Sequence, residues 1–169
     1  MPRRLLRDGL IVDDEWSYAA EAAGNAAVPL IVTFNQWRSE RDALETRAGL
    51  LGVVLSPADK VEQLAPDLAR FALVGAEFPG PAEGRGYTQA RLLRERWNFA
   101  GELRATGFVH RDQLFFLARC GFNSFELPDA DLETARAALA TFTAAYQPAN
   151  DAGLPLKLPR RLRDTPASA

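Results

Sequence analysis

At 169 residues, with 47% hydrophobic and 25% charged residues, the chain has material for one globular core and little for a second. A formal net charge of −2 argues against a general nucleic-acid binder, which gathers Lys and Arg on one face. One cysteine and one histidine exclude an internal disulfide and a zinc or iron–sulfur centre built by a single chain; no metal is expected and no cofactor is implied.

The opening MPRRLLRDGLIVDDEW is interrupted by charge every few residues and lacks the apolar stretch of a signal peptide. No run is long and apolar enough to span a bilayer, so the expected location is cytoplasmic, with no membrane partner. Residues 1–27 read as an N-terminal edge hairpin and link, with Asp8-Gly9 as the turn between two apolar stretches. The basic groups at Arg3, Arg4 and Arg7, and at Lys157, Arg160, Arg161 and Arg163, read as solvated terminal charge.

From residue 28 to 147 short apolar runs alternate with segments of helical period. The runs are 29–34, 51–56, 71–78, 101–107 and 124–127, which predicts one α/β domain of five consecutive βα units forming a parallel sheet. Ser56-Pro57 reads as an N-cap with proline at the first helical position, and Pro66 as the end of that helix or the start of a new turn. Asp129 reads as the cap of a last helix carrying Leu132, Ala135, Leu139, Phe142 and Tyr146, and Gly49 and Gly121 as left-handed C-caps. Residues 148–169, with the last four prolines, read as an irregular or partly disordered tail.

Five units are too few to close an eightfold barrel. In GELRATG the alternation puts Glu102, Arg104 and Thr106 on one face and Leu103 and Ala105 on the other. A central strand of a doubly wound sheet is apolar on both faces, as LGVVL is, so the polar face favours a half-barrel-like α/β fold. An open flavodoxin-like three-layer sheet is the alternative. A partial barrel also invites a homodimer that buries its open edges.

The chemistry-bearing residues cluster between 77 and 126. Arg85, Gly86, Tyr87 and Thr88 lead into a helix, where free N–H groups and the guanidinium suit a small anion; the bland alternative is a glycine turn with a solvated arginine. Glu77, Arg104 and Glu126 fall near strand ends, where they form either a site for proton abstraction or a structural ion-pair network. Asp112 is a further catalytic candidate because it can orient His110, and Glu102 and Gln113 would support the site. Cys120 reads as a small core residue whose pKa Arg119 would lower if it were reactive. Trp97 and Phe99 would serve a partner surface if exposed, and no P-loop, dinucleotide fingerprint or nucleophile elbow is present.

The block from about residue 50 to 127 resembles a bacterial family known as domain of unknown function 934. The resemblance is carried by LGVVLSP, Phe78-Pro79, Gly84-Arg85-Gly86-Tyr87, Ala90-Arg91-Leu92-Leu93-Arg94, Gly101-Glu102-Leu103-Arg104-Ala105, Asp112-Gln113 and Arg119-Cys120-Gly121-Phe122. It departs from the family pattern at the GPAE before Gly84, at His110 and at Asn123. Because that family is typically encoded beside assimilatory sulfite reductase, the resemblance implies a role in cysteine biosynthesis and the reductase as a partner. The expected function is an accessory or small-oxyanion-binding protein. A small barrel-like enzyme and a structural partner subunit are the competing readings.

Overall fold

The computed structural model describes residues 3–22 and 27–141, and the expectations for Phe142, Tyr146 and the tail lie outside them. In chain order the elements are β1 (Arg4–Arg7), β2 (Leu10–Asp13), β3 (Ser17–Tyr18), β4 (Leu30–Thr33), α1 (Phe34–Ser39) and α2 (Arg41–Glu45). Then come β5 (Leu51–Leu55), α3 (Val61–Leu64), β6 (Leu73–Phe78), α4 (Arg85–Arg91), β7 (Glu102–Gly107), α5 (Leu114–Cys120), β8 (Ser124–Phe125) and α6 (Leu132–Thr141).

One sheet contains all eight strands, in the order β2-β1-β8-β7-β6-β5-β4-β3. The five anticipated strands β4 to β8 are parallel neighbours, and the hairpin joins antiparallel to β8. Asp8 and Gly9 both take positive φ, +51° and +78°, as a two-residue hairpin turn requires. The two-residue β3, which nothing in the local pattern announces, adds parallel to β4.

This order explains the curvature. β2 and β3 occupy opposite edges of the sheet, yet only Asp14, Glu15 and Trp16 separate them. Four Cα steps reach roughly 14 Å at most, so the sheet must curl until its two edges nearly meet. The result is a half-barrel, and the open flavodoxin-like alternative is ruled out. Trp16 crosses the concave side and packs on Gly52, where an added Cβ would lie 3.1 Å from the indole.

The strand alternation then sorts the side chains. Val53, Val74, Ala76, Leu103, Ala105 and Phe125 face the helices and join one core with Leu64, Ala90, Leu93, Leu117 and Leu139. Trp16, Ile31 and Leu73 form a smaller cluster on the other side. Paired residues on neighbouring strands share a face, so Gly75, Glu77, Arg104, Thr106 and Ser124 also lie on the concave side.

Three local expectations are corrected. Ser56-Pro57 does not start a helix: the Asp59 carboxylate accepts the Ser56 N–H (2.7 Å), closing a turn, and α3 begins only at Val61. Pro66, as expected, starts a new turn where α3 ends, a 3-10 turn over Ala65–Arg70. Asp129 lies inside a single 3-10 turn preceded by Pro128, because the Asp131 N–H is taken by the Pro128 carbonyl, and Asp129 pairs with Arg4. Gly49 is not left-handed, since α2 stops earlier at Glu45, whereas Gly121 is, at φ +112°.

Gly107 ends β7 at φ +85°, and a Cβ there would sit 2.5 Å from the Phe78 carbonyl oxygen, which accepts the Phe108 N–H. Gly107→Ala should therefore lower the unfolding free energy in urea by about 2 kcal/mol or more. Gly80→Ala, with nothing within 4 Å of the new methyl, should stay within about 0.5 kcal/mol of the parent.

Candidate functional site

Arg104 sits in the middle of β7, opposite Gly75 on one side and Ser124 on the other, with its side chain 0% exposed. A cation so placed needs counter-charge, and three carboxylates supply it. Its Nη1 and Nη2 donate to the two Asp14 oxygens (3.0 Å each), its Nε and Nη2 to Glu102 Oε1 (3.0 and 2.8 Å), and its Nη1 to Glu126 Oε1 (3.2 Å). Arg3 adds a second cation on Asp14, Arg7 a third on Glu102, and the Tyr18 hydroxyl donates to Glu126 at 2.7 Å. Burial by itself would lower the Arg104 pKa, but the charges of Glu102 and Asp14 outweigh it and raise it. Tyr18 is likewise raised, by burial first and then by Glu126, so its phenol is a donor and not a base.

The expected trio of Glu77, Arg104 and Glu126 is thus assembled only in part. Glu126 pairs with Arg104; Glu77 does not, because its register partner is Thr106, two residues past Gly75. Its place beside Arg104 is taken by Glu102 and by Asp14, which no sequence signal associates with position 104. Arg104, Glu102 and Glu126 form the structural ion network, and Glu77 stands apart from it with no ion pair or hydrogen bond among the described residues.

Glu77 lines a cleft of about 340 Å³ at the carboxyl ends of β4 to β7, together with Tyr18, Thr33, Gln36, Val54 and Thr106. Ligands of parallel α/β folds lodge at such strand ends. Thr33 and Gln36 form a capping box, with Gln36 N–H donating to Thr33 Oγ1 (3.1 Å) and Thr33 N–H to Gln36 Oε1 (2.9 Å), which pins the start of α1 at the rim. The Thr-x-x-Gln spacing is a signal for these two. Tyr18 had none. A more open groove of about 490 Å³ lies against α1, where Asp67 accepts from Trp37 Nε1 (3.0 Å) and from Arg41, which also pairs with Glu45, and the Arg38 guanidinium lies over the Phe34 ring.

The segment expected to cradle an anion already holds one. Glu83 accepts the Arg85 N–H (3.0 Å) and both sides of its guanidinium fork (2.9 and 3.0 Å). The Arg85 hydrogen bonds hold the Glu83 carboxyl below the usual carboxylate range, and Glu83 raises Arg85 in turn. Gly86 is small for packing and not for a ligand: a Cβ there would lie 2.5 Å from the Phe78 ring. Tyr87 meets that ring edge-on at 5.3 Å, and Thr88 is exposed. Arg85 makes no hydrogen bond or ion pair with Glu77, Arg104 or Glu126.

The remaining expectations resolve into structure. Gln113 Oε1 accepts the His110 N–H (3.0 Å) and caps the short turn before α5, while Asp112 is exposed and lies outside the cleft. His110 stands edge-on to Phe108 at 4.2 Å. Burial raises the Cys120 thiol despite the opposing pull of Arg91 and Arg119, so its reactivity is lowered and not raised. Phe99 is buried and Trp97 half-buried against the core, so neither offers a partner surface. Among the described residues no group of three His, Cys, Asp or Glu side chains is placed to hold a metal ion, and no helix is long and apolar enough to cross a membrane.

Fold and site together define a small half-barrel α/β protein with a polar cleft at the carboxyl ends of its parallel strands. Residues 52–157, more than half of the chain, match the family described as bacterial protein of unknown function (DUF934), and the chain belongs to that family. No curated protein is detectably similar to it.

Removing the central cation strands Asp14 and Glu102, which are 1% and 11% exposed. Arg104→Met should cost about 3 to 5 kcal/mol in chemical denaturation at pH 7, and Arg104→Lys should recover only part, lacking the fork that reaches three carboxylates. A loss within experimental error would show that Arg3, Arg7 and solvent suffice to stabilise these carboxylates without Arg104. For Glu83, an NMR titration should find a midpoint below that of a free glutamate, returning to the ordinary range in Arg85→Ala. With its pKa depressed on folding, the pair contributes stability above the unfolded-state pKa and loses it as pH falls through the folded one.

Proposed function

We propose that this protein is an accessory of assimilatory sulfite reduction that binds a small ligand in the concave cleft. Membership of the family, and the resemblance that ties that family to sulfite reductase, support the pathway. The observation that carries the binding site is the cleft itself, with Glu77 the unpaired carboxylate on its wall. Arg85 is a poorer anchor for a free oxyanion, because a bound sulfite or sulfate would have to displace Glu83 from three hydrogen bonds. The reductase is the proposed protein partner and the cytoplasm the proposed location.

A second reading, an enzyme that abstracts a proton, is favoured by one fact. Glu126 is committed to Arg104 and Tyr18, whereas Glu77 has its oxygens available at the cleft and Thr106 beside it. In that reading Glu77 is the base, and Arg104 acts only by holding the wall in place.

Deleting the gene in its host should slow growth on sulfate or sulfite as sole sulfur source and leave growth on cysteine unchanged. Wild-type protein should restore growth, and folded Glu77→Gln protein at equal abundance should not. Equal growth of the deletion strain on all three sources would reject the pathway, and full rescue by Glu77→Gln would reject the site.

A further inference from the structure

The charge of the cleft narrows its ligand. Each cation near the floor is already matched: Arg104 by Asp14, Glu102 and Glu126, Arg3 by Asp14, and Arg7 by Glu102. Three cations and three carboxylates cancel, so the network projects little field into the cleft. Among the described residues Glu77 is the one carboxylate on the cleft wall, and nothing pairs with it. Around it are the apolar side chains of Ile31 and Val54 and the hydroxyls of Thr33 and Thr106.

We infer that the cleft takes a small organic cation, an ammonium group on a short apolar body. This rests on the reading of the cleft as the ligand site and goes beyond it by naming the ligand's charge. An ammonium has three donors and no acceptor. Glu77 offers it a charged acceptor, and Thr106, its register partner on the next strand about 4.8 Å away, offers a hydroxyl oxygen beside it. The apolar body has Ala19, Ala20 and Val54 to cover. A carboxylate or sulfur oxyanion of the same size meets Glu77 as a like charge and, among the described residues, finds no cation on the wall to offset it. A neutral alcohol keeps the apolar contact and loses the charge-assisted bond.

The test is a titration of the full chain, followed through the backbone amides of Thr33, Val54 and Thr106, with three isosteric probes: n-butylammonium, n-butanol and butyrate. Butylammonium should shift these amides with a Kd roughly tenfold lower than butanol, the difference a charge-assisted hydrogen bond gives, and butyrate should not bind. Glu77→Gln should bring butylammonium to the level of butanol, and Glu77→Asp should keep part of the preference; the same spectra report whether each variant is folded. Equal binding of all three probes at these amides would overturn the inference and leave the cleft standing as a ligand site. A preference for the cation that survives Glu77→Gln would overturn it too. If no probe moves these amides, the cleft is not a ligand site and both readings fall.

Discussion

The guanidinium of Arg104, buried among Asp14, Glu102 and Glu126, is the constraint on which this architecture turns. The four groups come from three separate parts of the chain, and together they tie the N-terminal hairpin and its exit to the centre of the parallel sheet. Burying an arginine this deeply is unfavourable unless every donor finds an acceptor, so the hairpin has one position in which it satisfies the cluster. Asp14 lies in the short link that joins the two edges of the sheet, and anchoring it inside the curve fixes how tightly the sheet closes. The apolar plug of Trp16 on Gly52 reinforces the same link from the other direction.

That curvature makes the cleft. With the edges drawn together, the carboxyl ends of β4 to β7 surround a space instead of presenting a flat rim, and Tyr18 becomes a wall of it although it belongs to an edge strand. The charge economy of the interior has a second consequence. Because the deep carboxylates are held by arginines, the unpaired carboxylate on the cleft wall is Glu77, at the strand end and two residues beyond the register of Arg104. The same logic applies at the start of α4, where Glu83 consumes Arg85. Neighbouring opposite charges on a surface loop find each other before they find a solute, and a sequence pattern that reads as a ligand cradle is closed by its own chain.

Glycines illustrate how one residue type is put to different uses here. Gly86 and Gly107 both press against Phe78, the first against its ring and the second against its carbonyl, so that α4 seats on the Phe78 ring and β7 closes on the β6 backbone. Phe78 in turn packs with Tyr87 and Phe122. Within the Gly-Arg-Gly-Tyr block, Gly86 and Tyr87 are therefore packing residues around one phenylalanine, whereas Gly84 borders open space.

What could be read from the chain itself was whatever is encoded over short distances. The five parallel strands, the Asp8-Gly9 hairpin and the polar face of β7 all follow from two- and four-residue periodicities and from turn chemistry, which act between near neighbours. The half-barrel was legible in that polar face, since charges on a central strand need a concave, paired environment. The helix starts at Ser56 and Asp129 were misread because each local cap had a competing turn partner, Asp59 in one case and Pro128 in the other. The identity of the groups around Arg104 was beyond such reasoning: Asp14 and Tyr18 reach it from across the sheet, and a pairing between segments some ninety residues apart leaves no periodic trace. Pattern along the chain determined the elements and their order, because local sterics and hydrophobic alternation act on consecutive residues. Only the tertiary structure decided which charges cancel and which one faces the cleft, because that choice depends on curvature, and curvature is a property of the closed sheet as a whole.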